Sequence, residues 1–201
     1  MGRPRGTSDQ EIMRATGRAI GRYGPARLTL AAVAAEAGVA PATLVQRFGS
    51  KRALLLAFAR QTADAVPGIF AQARQTPGGP LVALCTALAE LAASVRTPAE
   101  LANNLGFLQM DLSDPEFREP ALAQVTQVRT EITRLLADAV AAGELVPGVD
   151  TVQLARAVQV TYNGVLILWA LAPDGSLVDA LRTDLDHLLQ PYRPLRKLAQ
   201  T

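Results

Sequence analysis

Cysteine, histidine and tryptophan each occur once in these 201 residues, and aromatic residues make up only 4 %. A lone Cys85 excludes an internal disulfide framework and leads to the expectation of a reducing, cytoplasmic setting. His187 and Cys85 cannot between them build a usual metal cluster, so no metal site is expected. No GxSxG elbow, Walker-type loop or dinucleotide fingerprint occurs, and neither enzymatic activity nor a cofactor is expected. No apolar run reaches the ~18 residues of a membrane span without helix punctuation, so no membrane partner is expected. The opening MGRPRGTSDQ is polar, which argues against a secretory signal. Charged residues are 19 % of the chain and apolar ones 49 %, a balance that folds rather than one that stays disordered.

Alanine and leucine dominate what is present, and that composition favours helices. Ser8-Asp9-Gln10-Glu11 reads as a capping box for a first helix that Gly24-Pro25 ends. Thr29 caps a short helix to Ala37. Pro41 opens the next, at the position where its missing N–H is harmless. Gly49-Ser50 then leads into a fourth helix from Lys51, which Pro67-Gly68 is expected to kink or break. Further helices are predicted over 81–95, from a Thr97 capping box to about Leu112, from Pro115 to near Gly143, from Asp150 to about Ala172, and from the Pro173-Asp174-Gly175 turn to Pro191. No strand is expected, and the fold class is all-α.

The charge is unevenly distributed. Residues 1–60 carry nine arginines and one lysine against three acids, a net +7, while residues 61–201 carry ten bases against fifteen acids, a net −5. A basic head on an acidic body is the electrostatic footprint of a nucleic-acid-binding module joined to something else. Thr29 to Leu55 explains the head. Ala34 is small where a second helix must cross, Gly38 tolerates the positive φ of a tight turn, and Val33, Ala37, Val39, Leu44 and Phe48 fall where they can pin two helices together. This is helix-turn-helix spacing, and it leaves Ala40, Pro41, Ala42, Thr43, Val45, Gln46 and Arg47 facing outward.

Ala34-Ala35-Glu36-Ala37-Gly38-Val39, followed by Ala42-Thr43-Leu44, Phe48 and Ser50-Lys51, resembles the TetR family signature in order and spacing. The match covers about residues 8–56, with a weaker likeness over 151–190 to that family's dimerisation segment. The resemblance implies a three-helix DNA-binding domain over residues 1–50 and a helical ligand-binding and dimerisation domain over 51–201. DNA-contacting candidates are Thr29, Ala40, Pro41, Ala42, Thr43, Val45, Gln46, Arg47 and Lys51. Lys51 at a helix start suits a phosphate, Thr43 a phosphate or a thymine methyl, Gln46 an adenine edge and Arg47 a phosphate. Arg3 and Arg5 are candidates for a minor-groove arm. The chain departs from the family at Val45, where a phosphate-contacting tyrosine is usual, and at Ala40, where a capping serine is usual.

Helix-turn-helix modules act as two-fold dimers on palindromic sites. Leu154, Ala157, Val158, Thr161, Val165, Leu168 and Ala172 form one stripe, and Leu177, Leu181, Leu185 and Leu188 another, which together suggest a homodimer through a four-helix bundle. Between residues 81 and 170 the resemblance implies an effector cavity. Its candidate lining is Leu84, Leu88, Phe107 and Met110 with Arg129, Tyr162 and Trp169, suited to a small, moderately hydrophobic molecule. The expected function is a sequence-specific DNA-binding regulator, a repressor released by a small effector. The alternative is a helical small-molecule- or lipid-binding dimer whose head reads no specific DNA.

Overall fold

The computed structural model describes residues 7–195. Among them lie α1 (Asp9–Arg27), α2 (Leu30–Ala37), α3 (Pro41–Phe48), α4 (Lys51–Ala73), α5 (Pro80–Leu91), α6 (Pro98–Ser113), α7 (Pro115–Ala141), α8 (Thr151–Leu171), α9 (Leu177–Leu189) and a single 3-10 turn, with no strand. The helices begin where the caps place them. Ser8 and Glu11 close one capping box, and Thr97 and Glu100 a second, each satisfying two otherwise orphaned N–H groups. Asp150 takes the N–H groups of both Val152 and Gln153.

Three features of the helices differ from the sequence expectation. First, α4 runs through Pro67 without a break. A proline there forfeits one helical hydrogen bond, but Val66 and Phe70 on either side are fully buried and hold both flanks in the core. Second, α5 stops at Leu91, because the N–H groups of Ala92 and Ala93 turn back onto Ala89 and Glu90 in tightened i→i−3 bonds. Third, α8 is long and apolar enough to cross a membrane by length and composition alone, with mean hydropathy 1.3 over eighteen residues. Gln153, Arg156 and Gln159 interrupt its apolar sequence, so no unbroken apolar run of spanning length is present in it. In the fold α8 packs on α9 and lends Leu154, Ala155 and Val158 to a core.

The described chain forms two compact units, one from residues up to 65 with 94–124, the other from 66–93 with 125 onward. The first is built on Ile12, Ile20, Leu28, Val33, Leu44, Leu54 and Phe117. The core of the second is formed by Phe70, Leu84, Leu88, Ile132, Leu136, Leu154, Val158 and Leu185, among others.

In the first unit the end of α1 is reorganised by Pro25. Gly24 adopts φ 70°, ψ 158°, a conformation open to glycine and compatible with a following proline, and the helix resumes for one turn beyond it. Pro25 has no N–H for the carbonyl of Gly21, and Asn103 of α6 supplies the donor, its Nδ2 lying 2.7 Å from that oxygen. Arg27 Nε donates to the Tyr23 carbonyl and Leu28 N–H to that of Gly24, while Lys51 Nζ reaches the Ala26 carbonyl. Close approach of the two helices needs glycine on α6 as well, since a Cβ at position 106 would stand 3.2 Å from Pro25.

Two predictions follow from this unit. Asn103→Ala should lower stability by about 1–3 kcal/mol, the cost of an unsatisfied buried carbonyl, measured by urea denaturation. Asp111 is half-buried with no hydrogen bond to Oδ1 among the described residues, and loss of solvent pushes its carboxyl up to about 6. The folded state therefore holds a proton that the unfolded chain releases, so the stability this group contributes at acid pH is lost as pH rises through about 6. Asp111→Asn should raise stability by about 1 kcal/mol at pH 8 and leave it nearly unchanged at pH 4, a difference that thermal melts at the two pH values would record.

Candidate nucleic-acid interface

The turn between α2 and α3 is a Schellman motif. Gly38 sits at φ 66°, ψ 33°, its N–H bonds the Ala35 carbonyl, and Val39 N–H bonds that of Ala34 at 3.0 Å. Ala34, Val33 and Leu44 are wholly buried, with Ala37, Val39 and Phe48 packed against them. The residues expected to pin the two helices do so. Thr29 caps α2 by accepting from Ala32 N–H at 3.1 Å, which occupies its hydroxyl oxygen with the fold. Ala40 caps α3 without a side-chain bond, as its methyl dictates, and Pro41 pre-sets the first turn.

The outward face of α3 matches expectation. Ala40, Pro41, Ala42, Val45, Gln46 and Arg47 are exposed, and Thr43 is half-buried. Gln46 is an exposed amide residue, and Val45 offers an exposed apolar surface. Arg47 is already engaged: Nη1 donates to the Thr7 carbonyl at 2.6 Å and pairs with Asp9 at 3.1 Å. Lys51, likewise, ties its ammonium to the Ala26 carbonyl. Arg3 and Arg5 lie outside the described residues.

Several residues of the head are not apparent from residue type alone. Glu36, on α2, receives Arg18 Nε at 3.3 Å and Arg22 Nη1 at 2.8 Å, and Arg18 also donates to its carbonyl. This fork fixes α2 against α1 and draws two arginines out of the pool counted as basic surface. Arg52 forks similarly onto Asp114 and Glu116, which raises the guanidinium's pKa and holds the Asp114 carboxyl below its ordinary range. The signal for Glu36 is its place as the one acid, apart from Glu11, among the seven arginines that follow Asp9 up to Arg60.

The ligand candidates divide between the units. Leu84 and Leu88 are buried in the core of the second, where Tyr162 packs on the same cluster. Trp169 is buried near the end of α8 with its indole N–H on the Gly175 carbonyl at 3.3 Å, an anchor for the α8–α9 turn. Arg129 Nε donates to Gln159 Oε1 at 3.0 Å. Phe107 and Met110 belong to the first unit, with Phe107 edge-on between Phe58 and Phe117. A cleft of about 340 Å³ beside the end of α1 includes Met110. A cleft of about 600 Å³ between α5 and α9 contains none of the seven. Burial raises the pKa of Cys85, which lines that second cleft.

The apolar stripes of the last two helices also require a correction. Leu177, Leu181 and Leu185 of α9 and Leu154, Val158 and Val165 of α8 are buried in their own chain, where α8 and α9 pack together. Helical spacing identifies an apolar stripe but not the partner that covers it. The apolar residues left open on α8 are Val152, Val160, Ile167, Leu168 and Leu171, of which Leu171 is 78 % exposed.

Comparison with known proteins extends the likeness over most of the chain. Residues 12–58 match the model for bacterial regulatory proteins of the tetR family, and residues 81–192 match that for the C-terminal part of BetI-type transcriptional repressors. No curated protein sequence matches significantly. Among solved structures, a TetR transcription regulator from Haloarcula marismortui is similar with TM-score 0.74 at 19 % identity, over 92 % of this chain and 98 % of the other. A regulator from Saccharomonospora viridis in complex with choline has TM-score 0.71 at 20 % identity, over 90 % and 95 %. The regulator FadR from Bacillus subtilis, in complex with stearoyl-CoA, has TM-score 0.66 at 16 % identity, over 90 % and 97 %. These structures share the all-α fold, and the BetI-type model alone spans more than half of the chain. The protein is a member of the TetR family of bacterial transcriptional regulators.

Proposed function

We propose that this DNA-binding regulator acts in the cytoplasm as a homodimeric repressor, released from a palindromic operator by a small organic effector. The observation that carries the reading is the α2–Gly38–α3 unit, with a buried inner face and five exposed positions on α3 beside its exposed cap, Ala40. Gln46 reads a base edge, Thr43 and Val45 meet a phosphate or a thymine methyl, and Ala40, Pro41 and Ala42 let the helix start approach the backbone closely. Arg47 and Lys51 reach phosphate by exchanging their contacts with Thr7, Asp9 and Ala26 for it, and Thr29 adds its hydroxyl near the same surface. Two such heads are joined through the open α8 stripe of Val160, Ile167, Leu168 and Leu171, whose exposed side chains favour burial against a second copy.

Control follows from chain continuity. The fourth helix starts at Lys51, directly after the reading head, and reaches Phe70 in the core of the second unit. An effector that fits one setting of α4 better than another shifts the recognition helices and lowers operator affinity, by no more than its differential affinity for the two settings. The choline and stearoyl-CoA held by two structural neighbours support a small organic molecule as that effector.

Three measurements test this reading. Gln46→Ala should relax discrimination at one base pair by ~1–3 kcal/mol in a binding selection, whereas unchanged preference removes Gln46 from base reading. Binding to the operator should weaken steeply with salt, and a log K against log salt slope near zero would favour the lipid-binding alternative. Light scattering at micromolar concentration should give a dimer, and Leu168→Glu with Leu171→Glu a folded monomer.

A further inference from the structure

We infer that the effector is an amphiphilic organic anion whose head group binds the guanidinium of Arg129. The inference rests on the effector-controlled reading above. Its basis is a pair of side chains bridging α7 and α8. Gln159 is 7 % exposed, and its Nε2 donates to the Val125 carbonyl at 3.0 Å. That bond fixes which way the amide points, so its Oε1 faces Arg129 and accepts from Nε at 3.0 Å. With Nε held, the guanidinium plane is set and its terminal Nη groups form a ready fork.

An arginine in such a place ordinarily has an acid. The other half-buried arginine of this unit, Arg74, pairs with Glu131. Arg129 is partly buried, and among the described residues its partner is a neutral amide. A cation withdrawn from water without a counter-charge is costly, and a bound anion supplies one. One helical turn beyond Gln159 stands Tyr162, packed on the apolar cluster of Val128, Ile132 and Val158. Burial keeps its phenol protonated well past the ordinary range, so it remains a neutral donor. A fixed fork next to an α8 face that carries Gln159 and, one turn on, Tyr162 against the apolar core suits a carboxylate or phosphate head on an alkyl or aryl body. A quaternary ammonium such as choline would meet like charge.

The test uses the full chain and four probes with an eight-carbon chain: octanoate, octyl phosphate, octanol and octyltrimethylammonium. Binding is followed calorimetrically and by Trp169 fluorescence, with release from operator DNA read in parallel. At least one anion should bind about tenfold or more tighter than octanol, with the ammonium weakest. Whether octanoate or octyl phosphate binds more tightly identifies the head group. Arg129→Gln should abolish the preference for anions while octanol binding stays within about threefold, with folding checked by circular dichroism. Gln159→Leu keeps the charge but frees Nε, and as a positioning change should narrow the preference without abolishing it. An anion preference that survives Arg129→Gln, or octanol binding as tightly as the anions, overturns the inference. Release from DNA by the ammonium or by octanol alone also overturns it while preserving effector control. Failure of every probe to bind or to release DNA overturns both.

Discussion

The carbonyl of Gly21 has no helical donor because Pro25 has no N–H, and the first unit is organised around that vacancy. Asn103 fills it from α6, and glycines at 24 and 106 let the two helices approach closely enough for the bond to form. At the broken end the carbonyls of Tyr23, Gly24 and Ala26 are taken by Arg27, Leu28 and Lys51. Through α1 the same constraint reaches the reading head, since Arg18 and Arg22 hold α2 by Glu36. A local defect in one helix therefore fixes where three others lie within the unit.

Much of this architecture is legible in the sequence because the decisive features are local. Capping boxes at Ser8 and Thr97, prolines at first-turn positions and Gly38 in a tight turn depend on residues three or four apart, and the helices begin where those residues stand. Contacts between distant segments are another matter. Asn103 and Gly21 are 82 residues apart, and nothing in either segment names the other. The α9 leucines illustrate the same limit: their spacing declares an apolar face, but only the packed chain shows that α8 covers it. Pro67 fails as a breaker because its flanks are buried, a property of tertiary packing and not of proline.

The site residues follow the same division. The outward positions of α3 are set by helix periodicity and, Thr43 apart, are exposed, while the partners of Arg47 and of Lys51 at the start of α4 lie far away in sequence. Arg47 meets Thr7 and Asp9, and Lys51 meets Ala26. In the second unit Arg129 stands out by type, but Gln159, which holds its Nε in place, is visible only as a polar residue on the apolar face of α8.

The pairing of head arginines with Glu36 and Asp9 bears on how such a protein finds its target. Each cation neutralised within the fold is one fewer counterion exchange on arbitrary duplex, so affinity for the vast excess of irrelevant sites falls. The Glu36 fork and the Arg47–Asp9 pair thus reduce the free cations that the head offers to phosphate. A weaker hold on arbitrary duplex means a shorter stop at each wrong site, so the bonds that hold a reading head together also bear on how fast it can search a chromosome.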